Sequence, residues 1–262
     1  MTFVQLKDVS KSFNSPRSKR LSVAVDQFNL DIDRGEFFCL LGPSGCGKTT
    51  VLGMLAGFEA PTQGDILLDG RKVEGPSRDR GVVFQGDDSL YPWLNALENI
   101  EFGLRMRGLP KAERQEKAQG ALKLVGLTGQ HDKFPSELSG GMKQRIQIAR
   151  ALVNEPKMLL MDEPFGALDA QTRHVMQREL RKIWQATQST VIFITHDVDE
   201  AILLGTRVGV MTAGPGGTLR DVISVDLKGE RDRLDPQYSR HFSQIHNMIR
   251  DEVAKTTLGT GA

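Results

Sequence analysis

Gly42-Pro43-Ser44-Gly45-Cys46-Gly47-Lys48-Thr49-Thr50 decides how this chain folds. It fits the pattern G-x-x-x-x-G-K-[ST], directly after the near-continuous apolar run Glu36–Leu41 and before Thr49–Phe58, which reads as a short helix. Such a run suits a strand buried on both faces, so the context is strand, glycine turn, helix. Glycines at 42, 45 and 47 let the backbone curl until successive N–H groups, with the positive end of the helix, surround a polyphosphate. Lys48 adds a mobile cation for the β and γ phosphates, and Thr49 offers a hydroxyl to Mg2+. The loop N–H groups and Lys48 are also expected to favour the thiolate of Cys46. Alkylation should then inhibit, and MgATP should protect.

Two further constellations lie downstream. Lys157-Met-Leu-Leu-Met-Asp162-Glu163-Pro164 is an apolar strand ending in two carboxylates. Neighbours on a strand point different ways, so Asp162 can serve the Mg2+ shell while Glu163 faces the γ phosphate and polarises the attacking water. Leu138-Ser139-Gly140-Gly141-Met-Lys-Gln144 precedes a helix with apolar positions at Met142, Ile146, Ala149 and Leu152, and Ser139 is a plausible N-cap.

Around these segments, short β-branched runs alternate with longer helical stretches, the pattern of an α/β sheet. Val4–Val9, Val23–Ile32, Gly64–Leu68, Gly81–Phe84, Lys157–Met161, Thr190–Thr195, Arg207–Thr212 and Leu219–Val225 read as strands. The stretch from Asp87 to Val153 reads as a helical insertion, with Lys111–Val125 its clearest helix. A last amphipathic helix, Pro236–Ala254, puts Tyr238, Phe242, Ile245, Ile249 and Val253 on one face.

Composition excludes several classes. The 262 residues are ample for one large domain, and 34 Lys+Arg against 33 Asp+Glu give a formal charge of +1 with no basic block for nucleic acid. No apolar run approaches the roughly 18 residues of a membrane span. The amino terminus MTFVQLKDVSKSF lacks the uninterrupted apolar core of a secretory signal, which implies a cytoplasmic protein. Cys39 and Cys46 are too few for a disulfide framework or a four-ligand zinc site.

The Leu-Ser-Gly-Gly-x-x-Gln segment, arriving between the phosphate loop and the acidic strand, resembles the signature of the ABC (ATP-binding cassette) ATPases. Gln85 after a strand, Ala167-Leu168-Asp169 after the carboxylates, His196 at a strand end and Phe13 before the second strand follow in the family's order. The resemblance implies an α/β fold: a RecA-like P-loop nucleotide-binding core with a β subdomain (residues 1–86 and 154–215), an inserted α-helical signature subdomain (87–153), and a C-terminal strand and helix (216–262). It further implies a head-to-tail dimer, homodimeric here, with two ATP molecules at its interface. Each site would be completed in trans by Ser139, Gly140, Gly141 and Gln144. By the same resemblance Phe13 stacks adenine, Gln85 senses Mg2+ and water, His196 contacts the γ phosphate, and Asp169 lies in a dimer-contact loop.

A narrower resemblance rests on Gly75-Pro-Ser-Arg-Asp-Arg-Gly-Val-Val-Phe-Gln85, Pro92-Trp93, Phe165–Arg173 and Thr195–Ala201, which look like the ATPase subunits of nitrate, sulfonate and taurine importers. It implies membrane permease partners, a substrate-binding protein, and a place at the cytoplasmic face of the inner membrane. Tyr91, where a leucine is common, and Gly205-Thr206 before Arg207 depart from that group. An ABC exporter ATPase and a soluble ABC protein are the alternatives. Tyr91 and Trp93, large aromatics in a turn-prone segment, are expected to dock a permease's cytoplasmic helix.

Overall fold

The computed structural model describes residues 2–14, 21–84, 89–227, 229 and 231–259, with side chains to residue 255. The chain forms two compact units, one from Met1–Ser77 with Thr190–Ala262, the other from Arg78–Ser189.

In the first unit, β1 (Thr2–Asn14) pairs antiparallel with β2 (Leu21–Asp33) and with β4 (Gln63–Leu68), and β5 (Arg71–Lys72) closes the order β2-β1-β4-β5. Phe28, Leu30 and Ile32 are buried between exposed neighbours, as an antiparallel sheet with one covered face requires. A second sheet holds β3 (Phe37–Leu41) between β8 (Thr190–Thr195) and β9 (Arg207–Met211), parallel to both, with β10 (Leu219–Ser224) antiparallel to β9. Every residue of β3 and β8 is buried, which explains why both read as unbroken apolar runs.

The start of β3 is pinned from both sides. Gly35 N–H donates to Thr190 Oγ1 (2.9 Å), and Phe37 N–H to Thr206 Oγ1 (3.2 Å). The strand therefore delivers Gly42 from a fixed base into α1 (Lys48–Ala56). That helix ends on Gly57 at φ +81°, where a Cβ would stand 2.3 Å from the Gly75 carbonyl oxygen, so only glycine fits. Further on come α6 (Val198–Leu204) and α7 (Pro236–Gly259). Along α7, Tyr238 and Ile245 are buried, Phe242 and Ile249 are half-buried, and Val253 is exposed.

In the second unit, β6 (Arg80–Val83) runs parallel to β7 (Met158–Asp162). Helices α2 (Ala96–Met106), α3 (Lys111–Leu124) and α4 (Gly140–Leu152) pack on one another, burying Ile100, Leu104, Ala118, Leu122, Ile146 and Ala149. α2 opens with a capping box: the Asn95 side chain accepts from Glu98 N–H, and Glu98 Oε2 accepts from Asn95 N–H. α5 (Ala170–Thr187), which has no counterpart in the sequence reading, buries Met176, Gln177, Leu180 and Ile183 along one stripe.

Candidate nucleotide site

The phosphate loop turns on two glycines in the left-handed region, Gly45 at φ +77° and Gly47 at φ +101°. A Cβ on Gly47 would lie 2.6 Å from the Ala24 carbonyl oxygen, and one on Gly42 would lie 2.7 Å from Cys46 Sγ. Side chains are thus excluded where the backbone must curl. Gly47 is the N-cap of α1; it supplies no side-chain cap, and the first turn of the helix carries no acidic residue. The first N–H groups of α1 consequently keep their hydrogen-bonding capacity and positive dipole for an anion. Lys48 is 7% exposed, and its Nζ donates to the carbonyls of Gly42 (2.7 Å) and Pro43 (3.0 Å), which holds the cation over the loop. Ser44 and Thr49 are exposed; Pro43 and Thr50 are partly so.

Cys46 corrects the sequence expectation. Its side chain is fully buried, with Sγ 3.9 Å from Met211 Sδ. Burial pushes the thiol above its ordinary range, and the opposing pull of Lys48 does not overcome this. The residue packs the underside of the loop as a neutral thiol, so its contribution to nucleotide binding is through its backbone.

Elsewhere in this unit, His196 follows β8 directly and is exposed. The residues on either side of it are fixed: Thr195 Oγ1 donates to Glu200 Oε2 (2.6 Å) and accepts from Asp197 N–H (3.0 Å). Phe13, next to the last residue of β1, is 39% exposed, with Lys11 Nζ 5.0 Å from its ring centroid. An exposed ring with a cation on it is available for stacking.

The second unit carries the carboxylates and the signature. Asp162 ends β7, but Glu163 lies beyond the strand at φ +42°. Strand alternation therefore does not govern the pair, because Glu163 is a left-handed residue outside β7. A glutamate there is strained by about 1–3 kcal/mol, and such strain collects at functional sites. Ser139 is the N-cap of α4, its Oγ accepting from Met142 N–H at 3.4 Å. A Cβ on Gly141 would come within 2.8 Å of Thr172 Cγ2. Gln144 is 2% exposed, and its Nε2 has no hydrogen-bond partner among the described residues. Asp169 caps α5, accepting from Gln171 N–H (3.1 Å) and Thr172 N–H (3.0 Å). Hydrogen bonding from the Thr172 side chain, and then from its backbone N–H, holds the Asp169 carboxyl below the usual range. Gln85 lies outside the described residues.

In the loop before α2, the two aromatics separate. Trp93 is 68% exposed. Tyr91 is half-buried instead: its ring lies 4.5 Å from that of Phe102, and the Arg150 guanidinium sits 5.4 Å from its centroid. The loop is organised by Asn99, which sequence reading missed. Fully buried, Asn99 accepts from Tyr91 N–H (2.9 Å) and donates to the carbonyls of Tyr91 (3.1 Å), Leu94 (2.9 Å) and Asn95 (3.1 Å). A polar residue amid the apolar positions of α2 was the available signal.

No cluster of three or more His, Cys, Asp or Glu that could cage a metal occurs among the described residues. Mg2+ fits a different kind of site, in which phosphate and water supply most ligands and the protein adds one or two oxygens. The hydroxyl of exposed Thr49 in the first unit is an oxygen of that kind, and so, in the second unit, is the strand-end carboxylate of Asp162, each taken by itself.

A glycine loop between a buried parallel strand and an uncapped helix, closed over by a lysine, defines a P-loop nucleotide-binding protein. The ABC transporter family model matches residues 25–166, more than half of the chain, and the chain belongs to that family. It is 50% identical to an ABC transporter ATP-binding protein of Methanocaldococcus jannaschii over 93% of this chain and 89% of the relative. It is 41% identical to the nitrate import ATP-binding protein of Synechocystis sp. over 97% of each chain. With the taurine import ATP-binding protein of Roseobacter denitrificans it shares 41% over 96% of this chain and 95% of the relative. Among solved structures, a dimeric ATP-binding cassette in a post-hydrolysis state with ADP and Pi superposes with a TM-score of 0.73 at 33% identity, covering 86% of this chain and all of that one. The chain is therefore an ABC ATPase with the RecA-like P-loop fold, and ATP is its substrate. No described helix is long and apolar enough to cross a membrane.

Proposed function

We propose that this chain is the ATP-hydrolysing subunit of an importer for a small anionic solute of the nitrate, sulfonate or taurine type. It energises membrane permease subunits supplied by a substrate-binding protein, from the cytoplasmic face of the inner membrane. The observation that carries this is the loop at Gly42–Thr50, with uncapped α1 N–H groups under Lys48, in a chain aligned almost end to end with nitrate and taurine import ATPases.

Within that reading the residues divide as follows. The loop N–H groups and Lys48 bind the β and γ phosphates, and Phe13 stacks the adenine. Thr49, Asp162 and Gln85 would hold Mg2+, which when bound neutralises charge on the phosphates. Glu163 accepts a proton from the attacking water, and His196 contacts the γ phosphate. Two copies meet head to tail, so that Ser139, Gly140, Gly141 and Gln144 of α4's start complete the site of the other copy. The first turn of α4 carries no acidic residue, which suits an approaching phosphate. Asp169 lies at the contact between copies, and residues 87–153 serve as the inserted helical subdomain. Exposed Trp93 is the docking anchor for a permease helix, with Tyr91 its support. The test is reconstitution with permease and binding protein in liposomes: ATP hydrolysis should rise with the transported anion. Hydrolysis indifferent to permease and solute would contradict the importer reading.

A further inference from the structure

The segment that leads into α7, together with its first turns, grips α6 at both ends. Arg231 donates to the carbonyl oxygens of Ile202 and Gly205, with the Gly205 bond at 2.6 Å, so a guanidinium closes the C-terminal end of α6. At the other end, the Tyr238 hydroxyl donates to Asp199 Oδ1, and Arg233 Nε lies 3.6 Å from the same oxygen. Tyr238 is 3% exposed. Burial and the neighbouring Asp199 push its hydroxyl well above the ordinary range, so it remains a donor at any physiological pH.

Asp199 joins a set of bonds made by the residues that flank His196. Asp199 N–H donates to Asp197 Oδ1 (2.8 Å), as does Glu200 N–H (3.3 Å). Asp197 N–H donates to Thr195 Oγ1 (3.0 Å), and that hydroxyl donates to Glu200 Oε2 (2.6 Å). His196 therefore stands between Thr195, set in β8 against β3, and Asp197, whose side chain is bonded to the first turn of α6, and that turn is anchored by Tyr238.

We propose that Tyr238 is a positioning residue for ATP hydrolysis: through its bond to Asp199 the C-terminal helix sets where His196 stands, and so sets the rate of the chemical step. The proposal rests on the reading of His196 as the γ-phosphate contact. It gives the C-terminal segment a catalytic consequence although α7 has no residue in the phosphate loop. Tyr238 reaches none of the reacting atoms; its effect passes through the Asp199–Asp197–Thr195 bonds.

The experiment compares the full-length wild type with Tyr238→Phe, His196→Ala and the double variant, measuring kcat, KM for ATP under single and multiple turnover, and Tm. Tyr238→Phe removes one hydroxyl and should lower kcat about tenfold with KM nearly unchanged, the scale on which a displaced group acting in the transition state is felt. In the His196→Ala background the same change should have no further effect. The imidazole resonance of His196, assigned by its loss in His196→Ala, should shift in Tyr238→Phe. Asp199→Ala removes the acceptor of the Tyr238 hydroxyl, should reproduce both results, and decides the matter if Tyr238→Phe melts early. An impaired His196→Ala beside an unaltered Tyr238→Phe, or equal losses in both backgrounds, overturns the positioning role and leaves His196 in place. Wild-type hydrolysis by His196→Ala overturns both.

Discussion

At the scale of single residues, the site is made by side chains that break local rules for a chemical reason. Glu163 sits at φ +42°, where glutamate is strained. Glu163→Gln keeps the backbone and the volume but weakens proton acceptance, so ATP should still bind while turnover falls by about 10²-fold or more. Glu163→Gly should lose turnover equally without a lower Tm, because glycine relieves the left-handed strain. Lys48→Ala removes the cation held over the loop and should raise KM for ATP by about tenfold or more, which an ATP titration reads directly. Cys46 yields the opposite of its sequence expectation. A buried thiol kept protonated should resist iodoacetamide at neutral pH, with or without MgATP, and mass spectrometry of the native protein checks this. Rapid, MgATP-sensitive labelling of Cys46 would contradict the buried placement.

At the scale of elements, the sheet strands were legible because burial on both faces writes itself as an apolar run. Thr190–Thr195 is read from sequence with the bounds that β8 has, and Glu36–Leu41 differs from β3 by one residue. The phosphate loop was legible for a different reason: its glycines answer to backbone conformation, which is local. Cys46 was not, because its environment is made by Met211, distant in sequence. α5 was missed although Met176, Leu180 and Ile183 recur at helical spacing, since the run from Ala170 to Thr187 is largely polar. Asn99 was missed because buried polar residues are defined by their partners, here four backbone-directed bonds to Tyr91, Leu94 and Asn95. Asn99→Ala should therefore cost about 1–3 kcal/mol, seen as a lowered Tm, by removing the partner of Tyr91 N–H and of the Leu94 carbonyl, while the Tyr91 and Asn95 carbonyls keep their bonds from Leu94 N–H and Asn99 N–H. It should also loosen the loop that presents Trp93, weakening co-purification with the permease while leaving ATP affinity within a few-fold.

At the scale of the whole molecule, the chain joins a nucleotide-binding surface to an exposed aromatic that nothing in its own hydrolytic chemistry uses. Trp93→Ala should leave hydrolysis by the isolated subunit unchanged and sharply reduce solute-stimulated hydrolysis in liposomes, with unchanged Tm excluding misfolding. In the function proposed above, this ABC ATPase works as an ATP-dependent pair, each copy lending the start of its α4 to the other's phosphates. The most direct test is the mass in solution of Glu163→Gln, by light scattering, with and without MgATP. The expected mass is 29.0 kDa without nucleotide and a doubling with MgATP, lost on adding Lys48→Ala or on replacing ATP by ADP. A mass that stays at 29.0 kDa in saturating MgATP, with nucleotide shown to be bound, would contradict it.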